Sequence, residues 1–428
     1  MNVVDEFRWR DMLFEITEGG EEALAKTKIT FYNGFDVQGP SLHVGHLIPI
    51  MGMVHLQRYG HTPIALVGGG TSMIGDPSGK SKERALLSED TIRANAENIR
   101  EQLSHFLDFN AKGNAARMIN NAEWLMPMGM MEFLRDVGKH FTIQQMTAKE
   151  SVKKRLEQEE GLSFTEFSYM LLQAYDFLTL FRREGATFQT GGSDQWGNIL
   201  AGTDLIRKAD GAQAHGVVFP LLTTASGEKF GKTANITGGM DSVWLDPTMT
   251  SPYKFYQFWF NAEDADVIKY LKFFTLLDQG EIAELERQVK EAPERREAQR
   301  RLAEEVTRTV HGEAGVRSAQ QATEVLFGGD VSGLSANDLL GIFADVPSVD
   351  VSRDQLHDGG LALVDLVVAA GLEQSKGRAR TLIEGGGVSV NNQKVTDKDA
   401  SVRLADAIEG KLLILRKGKK EYRVVKVG

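Results

Sequence analysis

His43 and His46 stand three residues apart in Ser41-Leu42-His43-Val44-Gly45-His46, between a strand-like run and a helical one. At that spacing two imidazoles share one face of a first helical turn, and Gly45 leaves the face open to a close approach. Free N–H groups and the positive end of the helix dipole make such a turn an anion site. Taken alone, the pair reads equally well as two surface histidines. A zinc site fits less well, because helical metal pairs are commonly four apart and need a third ligand. A second basic group, Lys229-Phe230-Gly231-Lys232-Thr233, lies between Ser226-Gly227 and Gly238-Gly239. Two lysines in a glycine-flanked loop can swing onto phosphates, although a solvated basic loop has the same composition.

Gly68-Gly69-Gly70 and Gly75-Asp76-Pro77-Ser78-Gly79-Lys80, with Lys82 and Arg84 behind, follow a strand-like run. They match neither a Walker A motif nor a dinucleotide fingerprint, and by themselves read as a turn. Tyr169, Gln173 and Asp176 fall on one face of a helix whose other positions are mostly apolar. Three polar groups on a buried helix need partners, since each one left unpaired costs about 1–3 kcal/mol. Those partners are either protein groups or a polar ligand. The following strand and the turn Gly191-Gly192-Ser193-Asp194-Gln195-Trp196 favour the ligand.

The elements that must hold these groups alternate. Ile29–Phe35, Pro63–Val67, Ala186–Thr190 and Val217–Leu222 read as short buried strands, and Leu42–Tyr59, Thr91–Phe109 and Thr165–Arg183 as helices. Ser163 with Glu166 has capping-box spacing. Pro49 inside the first helix predicts a kink or a lost hydrogen bond. The alternation predicts an α/β, Rossmann-like doubly wound parallel sheet, with ligands beyond the strand carboxyl ends. A helical insertion is expected at about 124–161. The catalytic domain would span 1–222, the lysine-loop segment 223–250, a charged α-helical domain 251–327, a linker 328–360 and a small α+β module 361–428.

At 428 residues, two to four domains are expected. The absence of cysteine removes disulfides, thiolate metal sites and cysteine nucleophiles. No long apolar run reads as a membrane span, and the acidic N-terminal stretch resembles no targeting peptide, so a cytoplasmic protein is expected. The formal net charge is −10, yet residues 361–428 carry 13 Lys and Arg against 8 Asp and Glu. A basic module on an acidic body suggests a polyanionic partner.

Together, and in this order, the motifs resemble class I aminoacyl-tRNA synthetases, with His43–His46 in the place of the HIGH motif and Lys229–Thr233 in that of KMSKS. Tyr32–Asp36, Phe164–Asp176 and Gly191–Asn198 resemble the bacterial tyrosyl branch, and the tail resembles the ribosomal-protein S-four RNA-binding module. The resemblance implies that Tyr32 and Asp176 bind the phenol of L-tyrosine, and that Asp76, Tyr169 and Gln173 bind its ammonium. It implies that Gly34, Asp36, Gly192 and Asp194 hold the adenosine side, with Gln195 near the carboxylate. His43, His46, Lys80, Arg84, Lys229, Lys232 and Thr233 would meet the phosphates of ATP, used with Mg²⁺ and without a protein-bound metal site. It further implies tRNA(Tyr) as partner and a homodimer formed around Phe164. Three positions depart from the family: Asn33 where cysteine is frequent, Gln38 for threonine, and Val37 for proline, expected to loosen its loop. A tryptophan-activating relative and a non-catalytic RNA-binding paralogue are the competing expectations.

Overall fold

A computed structural model describes residues 2–76, 87–149, 152–153, 156, 162–222, 243–326, 328–329, 331, 334–343, 346–357, 359–418 and 421–428. The chain divides into two units, residues 1–250 with 258–310, and 251–257 with 311–428.

The first unit is built on a sheet of six strands: β1 (Glu15–Ile16), β2 (Thr30–Phe35), β3 (Thr62–Val67), β4 (Arg117–Asn120), β5 (Ala186–Gly192) and β6 (His215–Phe219). Their order is β1-β6-β5-β2-β3-β4; β2 to β6 run parallel and β1 is antiparallel at the edge. Burial on both faces explains the apolar runs Pro63–Val67 of β3 and Val217–Phe219 of β6. β2 and β5 are neighbours although β3 and β4 lie between them in the chain. The switch point of the expected doubly wound fold is therefore between β2 and β5.

The helix Phe164–Glu184 begins as its sequence predicts. Ser163 Oγ accepts the Glu166 N–H at 3.2 Å, Glu166 reaches back to the cap, and Gly185 ends the helix at φ 65°. Its buried face shares a core with Tyr32, Ile64 and Leu66 of the sheet and with Trp124, Val137 and Met146 of the insertion. The insertion contributes short helices Ala122–Leu125, Met130–Asp136 and Ile143–Thr147.

The first helix differs from expectation. A 3-10 turn, Val44–His46, comes first and the α-helix runs only from Leu47 to Arg58. Pro49 thus falls in the first helical turn, where its missing N–H has no intrahelical partner to lose, and the expected kink has no cause. Gly52 in this helix lies so close to β6 that a Cβ would overlap the Phe219 ring.

The helical stretch expected as one domain, 251–327, is shared between the units. In the first unit, the Arg10 guanidinium donates to the carbonyls of Lys272, Thr275 and Leu277 at 3.0, 2.9 and 2.8 Å, capping the end of helix Asp264–Phe274. The stretch Glu297–Leu326 breaks at Gly312, whose φ of 68° and ψ of −178° only glycine adopts readily.

The second unit carries β7 (Ser348–Val351), β8 (Leu361–Ala362), β9 (Val388–Val390), β10 (Gln393–Val395), β11 (Ser401–Val402), β12 (Leu412–Lys417) and β13 (Glu421–Val427). Five form a sheet in the order β10-β9-β12-β13-β7, and β8 pairs with β11. Residues 328–360, expected as a linker, supply β7, which pairs in parallel with β13, and the helix Ala336–Ile342. Leu339 and Phe343 are buried with Leu412, Ile414 and Tyr422, so apolar burial holds this segment to the module.

Candidate active site

β2 and β5 pair in parallel, so their carboxyl ends share the edge of the sheet where a switch point places ligands. Tyr32 of β2 and Asp176 of the long helix are both buried. Asp176 Oδ1 accepts the Trp124 indole N–H at 2.8 Å, and Oδ2 accepts the Asn121 amide at 2.9 Å. Asn121 also donates to Thr71 Oγ1 at 3.0 Å and accepts the Gly70 N–H at 2.8 Å. Burial pushes the Asp176 carboxyl up to about 7, against these two donors and with the Asp36 charge adding to the rise. Burial, then the charge of Asp176, raises the Tyr32 phenol well above its usual value. Among the described residues the Tyr32 hydroxyl has no hydrogen-bond partner.

Beside this pair, the Tyr169 hydroxyl donates to Asp36 Oδ1 at 3.4 Å. Its phenol is raised by burial and then by the charges of Asp36, Asp76 and Asp176. Gln195 Nε2 donates to Asp76 Oδ2 at 2.7 Å, and Asn198 donates to Gln195 Oε1 at 3.2 Å. Three carboxylates around one buried phenol make a pocket suited to a cation with hydrogen-bonding capacity. Lys149 approaches Asp76, and its Nζ donates to the Gly197 carbonyl at 2.6 Å. Burial lowers this ammonium to about 8, the Asp76 charge opposing. Gln173 is half-buried on the same helix. At the strand ends, a Cβ on Gly34 would meet nothing within 4 Å, whereas one on Gly192 would lie 2.7 Å from Asp194 Oδ1. Space is open over the first glycine, and a carboxylate covers the second.

The histidine turn forms the other side. His43 is the N-cap of the 3-10 turn: its Nδ1 accepts the Gly45 N–H at 3.1 Å, and its own N–H donates to His46 Nδ1 at 3.1 Å. With both Nδ1 atoms accepting, each neutral ring carries its proton on Nε2. Both are therefore arranged as donors. The ring centroids are 4.0 Å apart. The room Gly45 leaves is taken by His43 itself, since a Cβ there would come within 2.8 Å of that ring.

The departures also have local explanations. The Val37 N–H donates to Ser72 Oγ at 3.0 Å and its carbonyl accepts from Asn95 at 2.9 Å. Proline could not make the first bond, so the expected loosening is replaced by an anchor. Gln38 Nε2 donates to the Ser72 carbonyl at 2.5 Å, and Asn33 Oδ1 accepts from Thr190 at 3.1 Å. Lys80, Lys82, Arg84, Lys229, Lys232 and Thr233 lie outside the described residues.

Asn121, Trp124, Thr71, Lys149 and Trp244 were not singled out by sequence reasoning. Asn121 had a usable signal, since it directly follows β4 at the carboxyl edge of the sheet. Trp244 pairs with His43 in an isolated antiparallel bridge, and the two rings meet edge to face at 5.9 Å.

Residues 24–328 match the family model for tRNA synthetases class I (W and Y), and 338–425 match the tyrosine–tRNA ligase SYY-like C-terminal domain. The chain belongs to the class I tRNA synthetases of the tryptophan and tyrosine type. It is 52% identical to the tyrosine–tRNA ligase of Roseiflexus castenholzii over 99% of both chains, and 49% identical to that of Geobacillus stearothermophilus over 100% of both. Among solved structures, a C-terminally truncated mitochondrial tyrosyl-tRNA synthetase from Aspergillus nidulans aligns with TM-score 0.68 and 29% identity, over 76% of this chain and 94% of that one. Within the family, the chain groups with the tyrosine–tRNA ligases.

Proposed function

We propose that this chain is a tyrosine–tRNA ligase, which activates L-tyrosine with ATP and passes it to the 3′ end of tRNA(Tyr). The observation that carries the choice of amino acid is the buried Tyr32–Asp176 pair, with Trp124 and Asn121 holding both carboxylate oxygens. A phenol hydroxyl entering there donates to Asp176 and gives the Tyr32 hydroxyl a partner. Phenylalanine leaves both unmatched, which is why such a site rejects it, tyrosyl-tRNA synthetase being itself the usual illustration of that rule. Asp76 and Tyr169, with Gln173, suit the α-ammonium. An indole offers only an N–H and is larger, so tryptophan is the poorer fit.

Attack of the tyrosine carboxylate on the α-phosphorus needs no protein nucleophile. It needs alignment, and donors where charge grows on the departing pyrophosphate. The Nε2–H groups of His43 and His46 supply neutral donors, and Lys80, Arg84, Lys229 and Lys232 are the cations that the family motif adds. Gly34, Asp36, Gly192 and Asp194 take the adenosine side, with Gln195 oriented by Asp76 toward the carboxylate. Mg²⁺ would ride on the phosphates of ATP.

The insertion leaves Met130, Met131 and Ile143 exposed, and Phe164 at the start of the following helix is 77% exposed. Apolar side chains concentrated there suit a homodimer contact, and Phe164→Asp should shift the protein to monomer in sedimentation. The basic stretch 361–428 suits the tRNA. No helix among the described residues is long and apolar enough to cross a membrane. The deciding experiment is pyrophosphate exchange into ATP with tyrosine, phenylalanine and tryptophan in turn. Exchange with tyrosine alone is expected; none with any amino acid would favour the non-catalytic paralogue.

A further inference from the structure

The extended residues Leu42–Val44 run antiparallel to Val243–Leu245, the segment that follows the lysine motif in sequence. The Val44 N–H donates to the Val243 carbonyl at 3.0 Å, and the Leu245 N–H donates to the Leu42 carbonyl at 2.8 Å. His43 and Trp244 are thus the residues paired between these two bonds. In an antiparallel ladder, this non-hydrogen-bonded position brings opposing side chains closest, on the same face. Accordingly the indole meets the His43 imidazole edge to face, with centroids 5.9 Å apart and planes at 75°.

The bridge is held from both sides. The Ser41 hydroxyl accepts the Asp246 N–H at 3.1 Å, Gln102 Oε1 accepts the Leu42 N–H at 2.8 Å, and Thr250 Oγ1 accepts the Trp244 N–H at 2.9 Å. Val243 and Leu245 are buried and anchor the segment, whereas Trp244 is half-buried. Its side chain is therefore not needed to bury the segment, and its ring contact is with His43.

We infer that Trp244 is a positioning residue for adenylate formation: its indole, with His46 against the same imidazole, fixes the plane in which His43 presents its Nε2–H. The inference rests on the reading of the chain as a tyrosine-activating enzyme. A donor aimed at developing charge works only while its direction is held. Loss of the indole should thus act on the chemical step and leave tyrosine binding alone.

The test is pyrophosphate exchange by the full chain, with a double-mutant cycle. Trp244→Ala should lower kcat about tenfold, the upper range for one aromatic contact, with KM for tyrosine unchanged. Trp244→Phe should restore most of the rate. In a His43→Asn background, Trp244→Ala should produce little further loss, because the group it orients is gone. Losses that multiply, a raised KM for tyrosine, or a Trp244→Phe variant as impaired as the alanine one would overturn the inference. Absence of tyrosine-dependent exchange in the unaltered protein would instead remove the reading beneath it.

Discussion

The two sides of the site are built by different means. The side proposed for the amino acid is buried: Asp176 sits inside the core, and its two oxygens accept from Trp124 of the insertion and Asn121 just after β4. The histidine side is half-buried and made from a 3-10 turn whose own backbone orients the rings. A pocket that must reject a ligand lacking one hydroxyl gains from low dielectric, where an unmatched polar group is most costly. Donors that follow moving charge can stay near solvent, provided their direction is fixed. On the proposed function, selectivity and rate enhancement would therefore rest on separable parts of the site.

The largest test of that separation is Asp176→Asn. It should lower kcat/KM for tyrosine in the exchange assay by at least roughly a hundredfold and reduce discrimination against phenylalanine. The same variant carries a pH signature. Below the usual carboxylate range the group is protonated whether the chain is folded or not. Between there and about 7 the folded form keeps a proton that the unfolded form has lost. Stability of the unaltered protein should fall as pH rises through this window. Asp176→Asn should lack that part of the fall in a series of thermal melts.

On the other side, His43→Asn should reduce kcat of exchange by about ten- to a hundredfold while KM for tyrosine stays within twofold, roughly the loss of one preorganised donor. A parallel rise in KM for tyrosine would mean the two sides are not separable. A smaller effect is expected from Trp124→Phe, which removes one donor to Asp176. Loss of a bond that lowers the carboxyl's pKa moves it further upward, so tyrosine affinity measured against pH should shift its midpoint to higher pH, with roughly tenfold weaker binding near neutrality. Smallest of all, Pro49→Ala should change the unfolding free energy by less than about 0.5 kcal/mol, since no helical bond is restored.

What the sequence made legible follows this division only partly. Tyr169, Gln173 and Asp176 were readable because helical spacing is local, as was the Ser163 cap. The alternation of strands and helices was enough for the parallel sheet and for ligands at its carboxyl edge. Trp124 and Trp244 were not readable, because each reaches its partner across a long stretch of chain and neither repeats at a helical or strand period; Asn121 was overlooked although its place just after β4 marked it. Pro49 was misread for a narrower reason: the α-helix starts at Leu47, and a start placed at Leu42 turns a first-turn proline into an interior one. β7 was missed because four residues with an alternating pattern carry little signal until the partner β13 is known.

That pairing has a consequence for biosynthesis. β7 finds its place in the sheet only against Val424–Val427, and the Arg353 N–H donates to the Gly428 carbonyl at 3.0 Å. The β7 edge of the second sheet cannot close while residues 424–428 are still inside the ribosome. On a chain made from the N-terminus, the first unit can be assembled and packed well before then. The part proposed to grip tRNA would thus complete its sheet later than the first unit, and a nascent chain would carry the proposed tyrosine pocket before it had a complete RNA-binding surface.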